Sequence, residues 1–329
     1  MSPTVIVLAG GLSHERDVSL RSGRRVATAL RNEGYDVIES DLNSDLLNTI
    51  ASVDDPVIFP LLHGETGEDG SLREVLGLLG VPFVGAGGAS SRVSFDKSIA
   101  LPILAHQGFT VPAQVALPHE IFRELGARAL IEAMAERIGF PMMVKPARSG
   151  SALGCSKVNT IDEVPAAMVG AYAYGQVAVI EEYIDGTEVA IAVLDRGDGP
   201  EALPAVEIRP DSGVYDYAAR YTAGSTRFLV PAELDPDVAR AAAEVAVAGH
   251  EHFGLVQLSR ADMIIRDGVP HLLEINVAPG MTETSLVPLA LEAAGLDLGQ
   301  VCSDLVQHAR RHQPGSESTE NSDSPESTT

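Results

Sequence analysis

The chain has 329 residues, 45% of them apolar, which allows two or three domains with sizeable cores. Its formal net charge of −23 argues against nucleic acid or an anionic membrane surface as a partner. Two cysteines, Cys155 and Cys302, supply no disulfide framework and fit a cytoplasmic setting, and no apolar run is long enough to cross a bilayer.

Residues 1–95 alternate strand and helix. A buried strand at 5–8 leads through Gly10-Gly11 into a helix at 19–32, with Ser19 as its cap. Strands follow at 35–40 and 56–62, then a helix at 71–79 capped by Ser71. This is the βαβ pattern of a parallel sheet, whose ligands sit beyond the strand ends. The glycine-rich stretch 80–88 reads as a domain junction. A helix carries Lys97 to 107, and a strand at 142–146 carries Lys145 into the small-residue loop 147–154. A strand at 177–181 runs into Glu181-Glu182-Tyr183-Ile184. Strands at 188–194 and 202–208, a tyrosine-rich loop and helices at 236–253 and 298–311 complete the folded part. The Ser/Glu/Pro-rich segment 313–329 lacks apolar periodicity and reads as a disordered tail.

The densest chemistry lies in two short runs. Residues 261–265 and 270–277 read as a hairpin turning at Arg266-Asp267-Gly268. Side chains alternate along a strand, so Glu274 and Asn276 share one face. With Asp262 they offer the hard oxygen ligands that hold Mg²⁺ against nucleotide phosphates, and Arg260 stands beside them. A surface hairpin with scattered acids is the bland reading. It fits poorly with acids set inside apolar runs, where an unpaired charge is costly.

Only three lysines, Lys97, Lys145 and Lys157, stand against twenty arginines. Lys97 and Lys145 are candidates to meet phosphate as point charges. The loop after Lys145 can cover phosphates with backbone N–H groups, although it is not a Walker loop. The strand end at Glu181, Glu182 and Ile184 can serve an adenine, and Glu188 a ribose. In the N-terminal part, Glu15 and His63 both follow strand ends, where capping does not explain them. His250 and His252 are two apart on a helix and point to different sides. Tyr172 and Tyr174 read as packing.

Together these runs resemble the D-alanine–D-alanine ligases of the ATP-grasp superfamily over residues 4–310. The matching motifs are Gly-Gly-x-Ser-x-Glu-Arg-x-Val-Ser at 10–19, His-Gly-x-x-Gly-Glu-Asp-Gly at 63–70 and Asp-Lys at 96–97. Val-Lys-Pro at 144–146, Tyr-Asp-Tyr at 215–217 and Glu-x-Asn-x-x-Pro-Gly-Met-Thr at 274–282 follow in order. The resemblance implies an α/β chain, α+β in its C-terminal parts, with an ATP-grasp fold behind an N-terminal parallel-sheet domain. The implied domains are 1–95 for substrate, 96–180 as the central ATP-grasp subdomain and 181–312 as the C-terminal one with the metal site.

Carried over residue by residue, Lys97, Lys145, Glu181, Glu182, Ile184 and Glu188 would bind ATP. Asp262, Glu274 and Asn276 would hold two Mg²⁺, replaceable by Mn²⁺. Glu15 would take the first D-alanine's ammonium, with His63 at the substrate site. Arg260 and the Gly280 N–H would face the developing oxyanion. Ser285 and Leu286 would hold the second D-alanine's carboxylate. Ser151 and Tyr221 would bridge to Glu15 under a closing loop. Arg220 stands where the family usually has lysine, and a guanidinium still reaches phosphate there; Arg148-Ser149 replaces the usual Arg-Glu. The expected partners are D-alanine, ATP and a second copy of the chain, in the cytoplasm. The alternatives are an ATP-grasp ligase for other small amino acids and a catalytically dead nucleotide-binding regulator.

Overall fold

The computed structural model of the chain describes residues 3–211, 215 and 224–311. Arg220, Tyr221 and the segment 313–329 lie outside the described residues.

Three sheets organise the described chain. The first is parallel, in the order β2-β1-β3, from β1 (Thr4–Leu8), β2 (Asp36–Ser40) and β3 (Pro56–Pro60). Alternation along β1 and β3 splits their apolar residues between two cores. Val5, Val7, Val57 and Phe59 join one, while Ile6, Leu8 and Ile58 join the other beneath the helices Leu46–Ala51 and Ser71–Leu78. A sheet buried on both faces explains near-continuous apolar strands.

The second sheet runs β4-β7-β5-β6, from β4 (Gln114–Pro118), β5 (Met142–Pro146), β6 (Ser156–Val158) and β7 (Val177–Glu182). Met142, Val144, Ala178 and Ile180 point into a core with the helices Ala127–Ile138 and Val164–Tyr172. Alternation sends Met143, Lys145, Val179 and Glu181 to the opposite face. The pairs Met143↔Glu181 and Lys145↔Val179 therefore set Lys145 diagonally beside Glu181.

The third sheet runs β11-β10-β8-β12-β13, with β9 at its side. Its strands are β8 (Thr187–Leu194), β9 (Glu201–Ala202), β10 (Val206–Pro210), β11 (Thr226–Leu229), β12 (Leu258–Arg266) and β13 (Val269–Asn276). The predicted hairpin is β12–β13, with Arg260 opposite Asn276 and Asp262 opposite Glu274. A bulge after Asp262 re-aims the strand beside these pairs. Val189, Ile191 and Val193 face a core with the helices Lys97–His106 and Pro236–His252, while Ala190, Ala192 and Leu194 face the core shared with the first sheet. The helix Leu298–Arg311 seals that shared core through Val301, Cys302, Leu305 and Val306.

Two predicted caps are corrected. The first helix is Arg16–Asn32, three residues longer than expected, so Ser19 lies inside it. The Ser19 hydroxyl accepts from the Gly10 N–H and donates to the Leu61 carbonyl, both at 2.7 Å. Ser71 is likewise the first helical residue, and its own N–H bonds Asp69 at 2.8 Å. The Ser19 hydroxyl thus serves neighbouring chain segments, while the Ser71 hydroxyl donates to Asp69, two residues before, at 2.9 Å. Sequence reading also passed over the helices His119–Leu125, Ala127–Ile138, Val164–Tyr172 and Leu286–Ala293, and strand β4.

Candidate active site

Two adjoining cavities lie among the three sheets. The larger, about 370 Å³, is lined by Lys97, Lys145, Glu181, Glu182, Ile184, Glu188, Asp262 and Glu274. The smaller, about 100 Å³, is lined by Glu15, His63, Arg260, Glu274, Asn276, Gly280, Ser285 and Leu286. Gly150, Ser151, Tyr215 and Glu274 line both. Every sequence-predicted site residue among the described ones thus borders one of the two chambers.

In the larger chamber, Lys145 pairs with Glu181 at 2.7 Å, both side chains nearly buried. The second oxygen of Glu181 is buried without a partner among the described residues. An unmade bond to a buried carboxylate costs free energy, so an N–H of a bound base fits there. Lys97 pairs with Glu274 at 2.7 Å and donates to the Ser149 carbonyl at 2.9 Å. Burial works against the charged Lys97, but Glu274 outweighs it and the pKa is raised. Lys157 lies 3.6 Å over the ring of Tyr183 at the chamber wall. Sequence reading had counted Lys157 as one of only three lysines without giving it a place in the site.

At the wall between the chambers, Arg260 binds Asp262 through two hydrogen bonds of 2.6 Å. Burial opposes the Arg260 charge, yet the Asp262 carboxylate prevails and its pKa is raised. Asn276 Oδ1 accepts from the Ala278 N–H at 2.8 Å. Among the described residues no three His, Cys, Asp or Glu side chains converge. The oxygen donors are instead two opposed carboxylates and an amide, each carboxylate already facing a cation. That set fits a hard divalent ion whose remaining ligands come from phosphate and water.

In the smaller chamber, Ser151 bonds the Glu15 carboxylate. Ser151 and Ala152 both sit at positive φ, 51° and 56°, a conformation costly for side chains other than glycine. A Cβ on Gly150 would lie 2.7 Å from a Glu15 oxygen, so any larger residue there would push the Glu15 carboxylate aside. Ser285 Oγ accepts from the Thr282 N–H at 3.0 Å. A Cβ on Gly280 would come within 2.8 Å of that same oxygen.

His63 is buried, and burial brings its pKa down to about 4, against the Ala278 carbonyl, which raises it, and with a smaller lowering from the Arg260 charge. The ring is neutral at physiological pH. Glu68, absent from the sequence-predicted set, lines the same chamber and accepts from the Gly64 N–H at 3.0 Å. Burial first, and the Glu15 charge second, push its pKa up to about 8. The only sequence signal for Glu68 was its place in the 63–70 motif. Behind it, Arg73 is buried, donating to Gly67 O at 2.8 Å, and burial lowers its pKa to about 10. Tyr172 donates to Leu117 O at 3.0 Å, and His250 bonds Ser259 at 2.8 Å, both away from the chambers.

The family model described as "D-ala D-ala ligase C-terminus" matches residues 103–307. A D-alanine–D-alanine ligase from Anaeromyxobacter sp. (strain K) is 38% identical over 306 residues, 93% of this chain and 96% of that one. One from Desulforudis audaxviator is 37% identical over the same shares. Among solved structures, the D-alanine–D-alanine ligase of Bacillus anthracis complexed with ATP superposes with a TM-score of 0.80 at 28% identity, covering 94% of this chain and 98% of that one. The VanG D-Ala:D-Ser ligase of Enterococcus faecalis gives the same TM-score at 29% identity, over 94% and 100% of the two chains. The relatives cover 93% of the chain and the solved structures 94%, and by them the chain belongs to the D-alanine–D-alanine ligase family.

Proposed function

We infer that the chain joins two D-alanines at the expense of ATP, giving D-alanyl-D-alanine, ADP and phosphate for peptidoglycan precursors. The observation that carries this reading is the sharing of Glu274, Gly150 and Ser151 between a nucleotide-sized chamber and a smaller polar one. A group activated in the first can be consumed in the second without crossing solvent.

The larger chamber takes ATP, with Glu181 and the 182–184 backbone at the adenine, Glu188 at the ribose and Lys97 and Lys145 at the phosphates. Asp262, Glu274 and Asn276 would hold two Mg²⁺, or Mn²⁺, which offset charge on the transferred phosphoryl group. Glu15 receives the first D-alanine's ammonium. A carboxylate oxygen of that D-alanine attacks the γ-phosphorus, the bond to the ADP oxygen breaks, and D-alanyl phosphate forms. The second D-alanine, held by Ser285 and Leu286, attacks the acyl carbon through its amine. The amine loses a proton and phosphate leaves. Arg260 and the Gly280 N–H face the oxyanion formed on the way. Arg220 and Tyr221 belong to this scheme as phosphate contact and as a partner of Ser151.

The three units at 1–95, 96–180 and 181–312 each bring a wall to the chambers. A homodimer in the cytoplasm completes the reading, supported by the family resemblance and the acidic, disulfide-free chain. No single helix among the described residues is long and apolar enough to cross a membrane.

Purified protein with ATP, Mg²⁺ and a panel of D-alanine, D-serine, D-lactate and glycine tests the reading. D-alanyl-D-alanine is expected as the main product at pH 7, with ADP release in step. D-alanyl-D-serine as the main product would move the chain to the specificity named for the Enterococcus faecalis neighbour. ADP release without any dipeptide would sink the assignment.

A further inference from the structure

The N–H of Gly280 belongs to the peptide unit joining Pro279 to Gly280. On one side the preceding carbonyl, Ala278 O, lies 3.0 Å from His63 Nδ1. On the other, the Met281 N–H donates to Ser22 Oγ at 3.1 Å. Ser22 and His63 are themselves joined, Oγ to Nε2, at 3.1 Å. The two peptides flanking the Gly280 N–H are therefore held by a single linked pair from the N-terminal part of the chain.

Elementary donor and acceptor counting fixes every proton in this relay. A carbonyl only accepts, so His63 Nδ1 carries the hydrogen toward Ala278. In the neutral ring Nε2 is then an acceptor, and it takes the Ser22 O–H. The Ser22 oxygen has lone pairs left and accepts from Met281. Ser22 is fully buried, so no water competes for any of these bonds. Arg25, on the same helix, donates to Thr282 O at 2.7 Å and Met281 O at 3.3 Å. It holds the next part of the loop but not the Gly280 peptide.

We propose that Ser22 is a positioning residue for the ligation: with His63 it clamps the peptides on both sides of Gly280 and so aims the Gly280 N–H at the reacting acyl centre. This rests on the reading of Gly280 as an oxyanion donor. Ser22 touches no reactant. It works through geometry, and a donor displaced by a fraction of an ångström stabilises the transition state less while substrate binding is largely kept.

The test is Ser22→Ala, read by steady-state kinetics, thermal melting and amide exchange over 278–284. We expect kcat to fall roughly tenfold or more, short of the 10²–10³ seen when an oxyanion donor itself is removed, with KM for ATP within about twofold of the parent. The Met281 amide should exchange at least about tenfold faster, since its acceptor among the described residues is gone. Should the alanine variant fold poorly, Ser22→Cys keeps the volume with a weaker donor and acceptor and should show the same pattern in smaller measure. Unchanged exchange at Met281 would overturn the clamp itself. Faster exchange with an unchanged kcat would leave the clamp as mere structure and overturn the positioning role of Ser22, while leaving the oxyanion reading of Gly280 standing. A lower melting temperature with full kcat in the folded protein would likewise overturn the proposal.

Discussion

Lys145 and Glu181 show how little freedom a single buried side chain has in this site. The ammonium and carboxylate meet at 2.7 Å with both groups almost out of water. Removing one partner leaves the other as an uncompensated charge. Lys145→Ala is expected to raise KM for ATP at least about tenfold, roughly 1.4 kcal/mol, and to lower the melting temperature as well. Initial rates against ATP concentration check the first effect, and an unchanged ATP dependence would remove Lys145 from the phosphate site. Single residues were legible in the sequence where local rules decide them. Period-two alternation put Glu274 and Asn276 on one face, and scarcity singled out the lysines. Ser22 and Glu68 were not legible. Ser22 acts on a peptide 259 positions away, and Glu68 matters because packing buries it, which no local pattern announces.

Among the elements, the helix Leu298–Arg311 carries more than its place near the chain's end suggests. Leu305 is fully buried among Val5, Phe59, Val26 and Leu258, in the core between the first and third sheets. Gln257 Nε2 donates to its carbonyl at 2.9 Å, and Gln257 Oε1 takes the Gly85 N–H at 2.5 Å. Leu305→Ala should cost about 2–5 kcal/mol through lost burial and the cavity left behind. Urea denaturation measures this, and a loss below about 1 kcal/mol would mean that the neighbouring side chains refill the space. This helix was read from the sequence with its ends correct. The helices Ala127–Ile138 and Val164–Tyr172 were missed, and with them the core of the second sheet. The Val164–Tyr172 helix is apolar nearly all round, so its 3.6-residue period is faint. The first helix was placed three residues late because Ser19 looks like a cap, whereas tertiary contacts to Gly10 and Leu61 claim its hydroxyl.

At the scale of the whole molecule, a buried carboxyl in the smaller chamber ties stability to pH. Glu68 titrates near 8 in the fold, against an ordinary value of 4.5. Its folded pKa is raised, so the folded state binds a proton that the unfolded chain releases. Its contribution to stability is complete below pH 4.5 and drains away as pH rises toward 8. Glu68→Gln keeps an acceptor for the Gly64 N–H and removes that slope. The variant should melt close to the parent at pH 5 and above it, by about a few degrees, at pH 8 to 9. Paired melts across pH 5 to 9 decide it: a constant difference would show that Glu68 is ionised in the fold throughout.

The shared core also sets an order of events during synthesis. Val5, Val7, Val57 and Phe59 are covered by the helix Leu298–Arg311, and Tyr35 OH lies 2.9 Å from Ser303 Oγ. A nascent chain therefore leaves the ribosome with this face of its first sheet covered only in part, by Val26, Ala27 and Leu30 of the first helix, until about 240 further residues have followed Pro60. At about 5–20 residues per second that exposure lasts from roughly twelve to fifty seconds. During that interval the first sheet is a natural client for a chaperone that binds apolar surface, and the last helix is what ends the need.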